Sequence, residues 1–121
     1  MQLIGHGIDL VTIAKYERMI QNQRYLDRCY TTGEQNQCNG KPEKYAARFA
    51  AKEAILKALK LGIVDGMSLK DVEVVFEPNG NPGVKLYGLP AIIAAEKGIT
   101  GWILSFAHSG PQAVASAIAY A

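Results

Sequence analysis

Residues 49–58 read FAAKEAILKA and decide the fold, because they form the centre of a strong helix pattern. Alanine, the residue with the highest helix propensity, occurs in and around this segment at positions 46, 47, 50, 51, 54 and 58. Pro42 is tolerated in a first helical turn, and Gly62 suits the position that follows a helix. The sequence therefore predicts a long central helix that begins near Pro42 and ends before Gly62.

Two charged residues of this helix, Glu53 and Lys57, are one turn apart and point the same way. Their neighbours on that side are small or apolar, namely Ala46, Phe49, Ala50 and Leu56. A charge beside such residues is costly to desolvate unless it is paired or used, which indicates a functional site. The alternative is an ordinary surface ion pair, worth about 0.3–0.5 kcal/mol, and the spacing alone does not decide between the two.

Length and composition predict one domain that spans residues 1–121. The 121 residues are 49% hydrophobic and 20% charged, which is enough to bury a core without a disulfide or a metal. The net charge of +2 is too small to indicate a nucleic-acid partner. Because we find neither an apolar run of the ~18 residues that span a membrane nor a signal-peptide pattern, we expect no membrane partner and a cytoplasmic location.

Cysteine and histidine spacing indicates no zinc site and no redox motif. Cys29 and Cys38 do not form a CxxC pair, and His6 and His108 are too far apart in sequence to suggest shared ligation. We expect two reduced thiols.

The other segments predict an α+β domain with a largely antiparallel sheet. Periodicity and turn residues predict strands at residues 3–8, 72–76, 84–87, 102–107 and 113–120, with a turn at Pro78-Asn79-Gly80-Asn81. Further helices are predicted at residues 11–21, at residues 32–38 with Thr32 as N-cap, and from Pro90 to Gly98. Together with the central helix, the predicted order is β-α-α-α-β-β-α-β-β.

Asp9 follows the first predicted strand, where the chain is expected to turn into a helix. Its carboxylate could cap that helix, or it could act in a site, as side chains at such junctions often do. Asp9 and Glu53 would supply two carboxylates from separate elements, which is what Mg²⁺ usually receives from a protein. Lys57 could then neutralise charge on a bound phosphate. This hypothesis requires Asp9 and Glu53 to converge in space.

Four motifs together resemble the holo-acyl-carrier-protein synthases, the small bacterial phosphopantetheinyl transferases. The two specific ones are GIDL at residues 7–10 followed by Lys15, and RFAAKEA at residues 48–54 followed by Lys57-Ala58. Two weaker ones are NGNP at residues 79–82, similar to the family's Asn-Gly-x-Pro turn, and SFAHS at residues 105–109, similar to its C-terminal Ser-x-x-His strand. The likeness extends along nearly the whole chain and implies the 4′-phosphopantetheinyl transferase fold.

The resemblance implies transfer of 4′-phosphopantetheine from coenzyme A to a serine hydroxyl of an apo acyl carrier protein, with release of adenosine 3′,5′-bisphosphate. It implies that Asp9 and Glu53 bind the cofactor Mg²⁺, and that Glu53, or a metal-bound water beside it, acts as the base. Lys57 would stabilise charge on the phosphoryl oxygens. Coenzyme A contacts are implied for Arg48, Lys57, Pro82 and His108. A plain helix-surface charge and a hydrogen-bonded strand histidine remain alternative roles for Arg48 and His108.

A basic surface is predicted ahead of the central helix, formed by Lys15, Arg18, Arg24 and Arg28. Positive charge there would steer an acidic carrier protein, so we expect these residues to bind the carrier. A non-catalytic module that binds coenzyme A or a carrier would use the same surface. The intact set of Asp9, Glu53 and Lys57 favours the enzyme.

The predicted strand at residues 113–120 is apolar at almost every position. Such a strand is normally covered on both faces, and one domain of this size offers little to cover the second face. The sequence therefore predicts a homo-oligomer. The resemblance implies a homotrimer, with each site shared across a subunit interface.

The chain departs from the family pattern at three places. Lys15 stands where Arg is usual, which keeps the charge but loses bidentate pairing with a carboxylate. Lys60-Leu61-Gly62 replaces the usual Gly-Thr-Gly, and Gln112 stands where Tyr is common. Since Asp9, Glu53 and Lys57 are kept, we expect activity to survive while carrier preference and coenzyme A affinity differ.

Overall fold

The computed structural model describes residues 1–63 and 66–121. Its strands are β1 (Leu3–Thr12), β2 (Val72–Phe76), β3 (Pro82–Leu86), β4 (Gly101–Ser109) and β5 (Gln112–Tyr120). Its helices are α1 (Ala14–Met19), α2 (Gln23–Cys29), α3 (Thr32–Cys38), α4 (Pro42–Ala58) and α5 (Gly88–Glu96), with a 3₁₀ turn at Leu69–Asp71. The predicted α+β class is confirmed. Within the described residues, no helix combines the length and hydropathy needed to cross a bilayer.

The strands form two antiparallel groups. One is a three-stranded sheet in the order β1-β5-β4, and the other is the β2–β3 hairpin. In the central strand β5, the alanines at 113, 115, 117 and 119 are buried, whereas Val114, Ser116 and Ile118 are only half-buried. The sheet therefore has an inner face that packs on α4 and an outer face that retains exposed apolar side chains.

The central helix begins at Pro42 as predicted, with proline in its first turn. It ends in a Schellman motif, in which the Leu61 amide donates to the Leu56 carbonyl (2.9 Å) and the Lys60 amide to the Lys57 carbonyl (3.0 Å). Lys60 takes the left-handed conformation at this stop, with φ of 57°. The helix therefore ends before Gly62 as predicted, but the C′ position is occupied by Lys60 and not by Gly62.

Strand β1 is longer than predicted, because it pairs with β5 as far as Thr12 and Gln112. Asp9 consequently lies inside the strand rather than after it. The helix expected at residues 11–21 is the shorter α1. Its N-cap residue is Ile13, and among the described residues no side chain accepts a hydrogen bond from the free amides of its first turn. The capping role considered for Asp9 is therefore wrong.

Helix α2 has no counterpart among the predicted elements. Its N-cap Asn22 accepts hydrogen bonds from the Arg24 amide (3.0 Å) and the Tyr25 amide (3.3 Å). In α3 the N-cap is Thr31, one residue before the predicted Thr32. Thr31 and Glu34 form a reciprocal capping box, a pattern that the sequence T-x-x-E does contain.

The second half of the chain follows the prediction with shifted boundaries. Strand β2 has the predicted bounds, and the turn at residues 78–81 is confirmed, with Gly80 at φ of 87°. Strand β3 begins at Pro82 rather than at residue 84, and α5 begins at Gly88, two residues before Pro90. The last two strands are longer than expected because they pair along their full length, from Gly101 opposite Tyr120 to Ser109 opposite Gln112.

Candidate active site

Two glycines bring β1 unusually close to α4. A Cβ built on Gly7 would overlap the Ala54 carbonyl oxygen, and one on Gly5 would overlap that of Ala58. Gly5, Gly7 and Asp9 alternate along the strand and therefore share its inner face. The close approach places the Asp9 carboxylate against the last turns of α4.

Lys57 meets Asp9 at this contact. Its ammonium donates to Asp9 Oδ1 at 2.9 Å and to the Ile8 carbonyl oxygen at 3.0 Å. The Lys57 side chain is 54% exposed and the Asp9 side chain 16%. Among the described residues Lys57 forms no ion pair with Glu53, so the alternative of an ordinary i,i+4 pair is wrong. The lysine instead joins the helix to the strand.

Glu53 is half-buried beside this pair. Burial raises the pKa of its carboxyl, the negative charge of Asp9 raises it further, and Lys57 opposes both effects. The repulsion from Asp9 indicates that the two carboxylates share one electrostatic environment, as the magnesium hypothesis requires. A carboxyl with a raised pKa is also better suited to accept a proton than an ordinary surface glutamate.

Arg48 lines a cavity of about 510 Å³ at the other end of α4, together with Gln37, Lys44, Phe106 and His108. The arginine is only 4% exposed, so the alternative of a surface charge is wrong. Its guanidinium carbon lies 4.9 Å from the ring centre of Phe76 and 5.3 Å from that of Phe106. Nη2 donates to Gln37 Oε1 at 3.0 Å, and the buried Nε has no partner in the described part of the chain.

The strand register relates this cavity to the acidic site. Asp9 pairs with Ala115, and Ala115 pairs with Phe106. Two strand spacings, or about 10 Å, therefore separate the backbones of Asp9 and Phe106. His108 follows Phe106 by two residues and lies on the same face. The acidic site and the cavity are thus neighbours on the inner face of the sheet.

Pro82 lies beside the Arg48 cavity, because it pairs with Phe76, whose ring lines that cavity. It begins β3 and lines a second groove of about 530 Å³, with Asn79, Asn81 and Trp102. Among the described residues, Pro82 does not itself line the cavity of Arg48 and His108. Its predicted contact with coenzyme A stays a prediction.

The predicted basic surface is divided between two helices. Lys15 and Arg18 lie on α1, Arg24 and Arg28 lie on α2, and all four are exposed. The Lys15 ammonium rests over the rings of Tyr16 (5.4 Å) and Phe49 (5.9 Å). Arg24 and Arg28 line a groove together with Asp27 and with Lys70, a third cation that sequence reasoning missed.

Two buried charges were also missed from the sequence. Lys52 and Glu34 form a salt bridge of 2.8 Å in which neither side chain is exposed. Burial lowers the pKa of Lys52, and Glu34 partly restores it. The one signal in the sequence was a lysine on the side of α4 opposite Ala50 and Ala54, within a helix whose other positions are largely apolar.

Comparison with known proteins places the chain in a family. The family model described as the 4′-phosphopantetheinyl transferase superfamily matches residues 5–113. The chain belongs to this superfamily. The membership covers both specific motifs of the sequence, including Asp9, Glu53 and Lys57.

Its relatives within the transferase superfamily are similar over nearly their whole length. A holo-[acyl-carrier-protein] synthase of Geobacter metallireducens is 40% identical over 96% of both chains. A protein of the same name from Desulforudis audaxviator is 44% identical over 97% of this chain and 92% of its own. The crystal structure of the Helicobacter pylori holo-[acyl-carrier-protein] synthase in complex with coenzyme A superposes with a TM-score of 0.84 at 28% identity, covering 95% of this chain and 99% of the other. The predicted fold is therefore confirmed.

The carboxylates of this superfamily member fit a hard divalent cation such as Mg²⁺ better than a metal that prefers nitrogen or sulfur ligands. Among residues 1–63 and 66–121 there is no cluster of three or more His, Cys, Asp or Glu side chains that could hold a metal. Asp9 and Glu53 would provide two hard oxygen ligands, and a cation would relieve the repulsion between their carboxylates. Mg²⁺ commonly takes only one or two protein carboxylates and fills its other positions with water and substrate phosphate.

Proposed function

We propose that the protein transfers 4′-phosphopantetheine from coenzyme A to a serine hydroxyl of an apo acyl carrier protein, releasing adenosine 3′,5′-bisphosphate. One structural observation carries this assignment: the ammonium of Lys57 is held at the Asp9 carboxylate, next to the half-buried Glu53. The names of the relatives and the coenzyme A complex of the H. pylori enzyme support the substrate pair.

Asp9 and Glu53 would hold Mg²⁺, which would supply positive charge next to the pyrophosphate of coenzyme A. Glu53, or a metal-bound water beside it, would accept the proton of the carrier serine. The serine Oγ would form a new bond to phosphorus while the bridging P–O bond to the nucleotide breaks. Lys57 would stabilise the charge that builds up on the phosphoryl oxygens.

The cavity around Arg48 is proposed to bind the nucleotide end of coenzyme A. The Nε–H of Arg48 is a buried donor without an acceptor among the described residues, which is energetically costly, and a phosphate oxygen could accept its hydrogen bond. His108 would add a second donor at the rim. Pro82 is proposed to contact coenzyme A beside this cavity, since it pairs with Phe76, whose ring lines the cavity.

The basic surface of α1 and α2, formed by Lys15, Arg18, Arg24 and Arg28, is proposed to bind the acidic carrier protein. All four side chains are exposed, so they are free to meet a partner. Their charges would increase the rate of encounter more than the final affinity.

A homotrimer is proposed to form through the outer face of the sheet. This face exposes Ile8 (56%), Leu10 (58%) and Ile103 (47%) around the half-buried Val114 and Ile118 of β5. A group of exposed apolar side chains of this kind often marks an interface. Light scattering should give three times the chain mass of 13.1 kDa, and a fully active monomer would contradict the assembly. The cytoplasmic location stays a prediction.

The deciding experiment is an incubation with coenzyme A, Mg²⁺ and an apo acyl carrier protein, followed by mass spectrometry of the carrier. We expect the phosphopantetheine adduct on the carrier and adenosine 3′,5′-bisphosphate in solution. The variants Asp9→Asn and Glu53→Gln should remain folded and form no adduct. Binding of coenzyme A without any adduct would instead support the alternative of a non-catalytic binding module.

A further inference from the structure

Lys52, the lysine of the Lys-Glu-Ala motif, does not reach the proposed catalytic site. Its buried ammonium donates to Glu34 Oε1 (2.8 Å), to the Leu69 carbonyl (3.0 Å) and to the Val72 carbonyl (2.7 Å). These acceptors lie on α3, on the 3₁₀ turn and at the start of β2. All three N–H groups of the ammonium are therefore used to join α4 to three other elements.

Both carboxylate oxygens of Glu34 also accept hydrogen bonds. Its Oε1 also accepts from the amide of Thr31 (2.9 Å), the N-cap of α3, and its Oε2 accepts from the amide of Val74 (2.9 Å) on β2. The pair thus lies at the centre of a network in which every bond crosses from one element to another or caps one.

Stability alone does not account for this pair. A buried ion pair often adds nothing over well-packed apolar residues of the same volume, because the desolvation of both charges offsets their attraction. The best-attested use of such pairs is to fix one arrangement among several of similar energy. The packing around α4 indicates which arrangement Lys52 and Glu34 fix.

Helix α4 needs a further fixed point besides Lys57, because its contact with β1 and β5 is made by small side chains. Ala54 and Ala58 pack against Gly5 and Gly7, and β5 presents a row of buried alanines to the same helix. Side chains this small allow a close approach but give little shape that would resist rotation of the helix. Lys52 lies about 200° around the helix from Ala54, on the side away from the sheet.

We propose that Lys52 and Glu34 are positioning residues that set the rotation of α4, so that Glu53 and Lys57 face Asp9. Glu53 is the next residue after Lys52, so a helix rotated about its axis would carry the Glu53 carboxylate away from β1. Neither Lys52 nor Glu34 touches substrate. The inference rests on the proposed function, because it explains how the site of that function is held in shape.

The test compares Lys52→Met, Glu34→Gln and the double variant with the wild type, using Tm, kcat, and the affinity for Mn²⁺ alone measured by electron paramagnetic resonance. Each single variant should lower Tm. At a temperature where it is folded by circular dichroism, it should lower kcat by about tenfold to a hundredfold and weaken Mn²⁺ binding. The double variant should regain Tm, because no unpaired charge remains buried, while kcat and Mn²⁺ affinity stay low.

Lys97→Met is the matched control, since the Lys97 ammonium also bonds the end of α4, at the Leu59 carbonyl (2.9 Å) beyond its last turn. It should keep wild-type kcat and Mn²⁺ affinity. If kcat and Mn²⁺ affinity recover together with Tm in the double variant, the pair is only structural and the inference is wrong. If Lys52→Met fails to fold, Glu34→Gln decides by the same measurements. A wild type that makes no adduct rejects the proposed function, whereas Mn²⁺ binding still tests the positioning role.

Discussion

The Lys57 ammonium bonds Asp9, 48 residues earlier in the chain, and not Glu53, its neighbour one turn earlier on the same helix. This choice of partner makes the lysine a contact between α4 and β1 rather than a local ion pair within α4. It holds a cation beside two carboxylates, those of Asp9 and Glu53, within one site.

Lys57→Met should lower kcat by about 10²–10³-fold, the loss typical of removing one donor to developing negative charge. It should lower Tm only slightly, because the Lys57 side chain is 54% exposed and such a pair contributes on the order of 1 kcal/mol, although its loss leaves the Asp9 carboxylate without its cation. Kinetics and thermal unfolding on the same preparation separate the two roles. Lys85→Met, which removes an exposed lysine on β3, is the control. A marked fall in Tm with normal kcat would mean that Lys57 is structural.

Gln37→Ala should raise the KM for coenzyme A without changing kcat or Tm. Gln37 is exposed, yet its side-chain oxygen accepts the bond that orients the Arg48 guanidinium between the rings of Phe76 and Phe106. Arg48→Lys should raise the same KM further, because a lysine cannot form the planar contacts. In the double variant the two effects should not add. Additive effects would show that Gln37 does not act through Arg48.

Gly7→Ala should destabilise the protein by about 1–3 kcal/mol, the usual cost of overpacking. The added methyl group would overlap the Ala54 carbonyl oxygen and push β1, with Asp9, away from α4. Activity should fall in parallel. Gly62→Ala is the matched control, since among the described residues no atom outside its chain neighbours lies within 4 Å of the position that its Cβ would take. Equal unfolding midpoints for the two variants in urea would contradict the close packing.

Lys60→Gly should stabilise the protein by about 1 kcal/mol. Lys60 holds the left-handed conformation that the Schellman motif requires, with φ of 57°, and a side chain is strained there. The matched control is Asn39→Gly at the end of α3, where φ is 49° and asparagine tolerates the conformation better. Its gain in Tm should be smaller. A loss of stability in Lys60→Gly would show that the lysine side chain makes a compensating contact.

Local sequence signals predict the parts of the fold that depend on local structure. The alanine-rich helix, the β2 strand and the turn at residues 78–81 agree with the structure because propensity and turn chemistry decide them. Strand β1 is predicted too short because its last residues are held by pairing with β5, a contact that no local pattern reveals. Residues 64 and 65, near the predicted helix stop at Gly62, lie outside the described residues.

The candidate site likewise combines features that local sequence predicts with features that only tertiary contacts reveal. The types and spacing of Asp9, Glu53 and Lys57 indicate a phosphate and metal site, but their convergence depends on Gly5 and Gly7, whose role emerges only once β1 is packed on α4. The buried partnership of Lys52 with Glu34 joins residues 18 apart and cannot be inferred from periodicity. A lysine among alanines in a helix suggests a buried charge, but the sequence does not identify the residue that pairs with it.

Arg28→Glu should raise the KM for the carrier protein severalfold and leave the KM for coenzyme A unchanged. Arg24 and Arg28 are one turn apart on α2 and share an exposed groove with Lys70, so reversing one charge weakens the attraction for an acidic partner. Wild-type KM for the carrier should also rise with salt, because the Debye length falls from about 10 Å at 0.1 M to about 3 Å at 1 M. In the Arg28→Glu variant, the KM for the carrier should change less with salt than it does in the wild type. Lys85→Glu changes the net charge equally at a site on β3 and should leave both KM values unchanged. A carrier KM that responds equally to the two reversals would mean that net charge, and not this surface of α2, attracts the carrier.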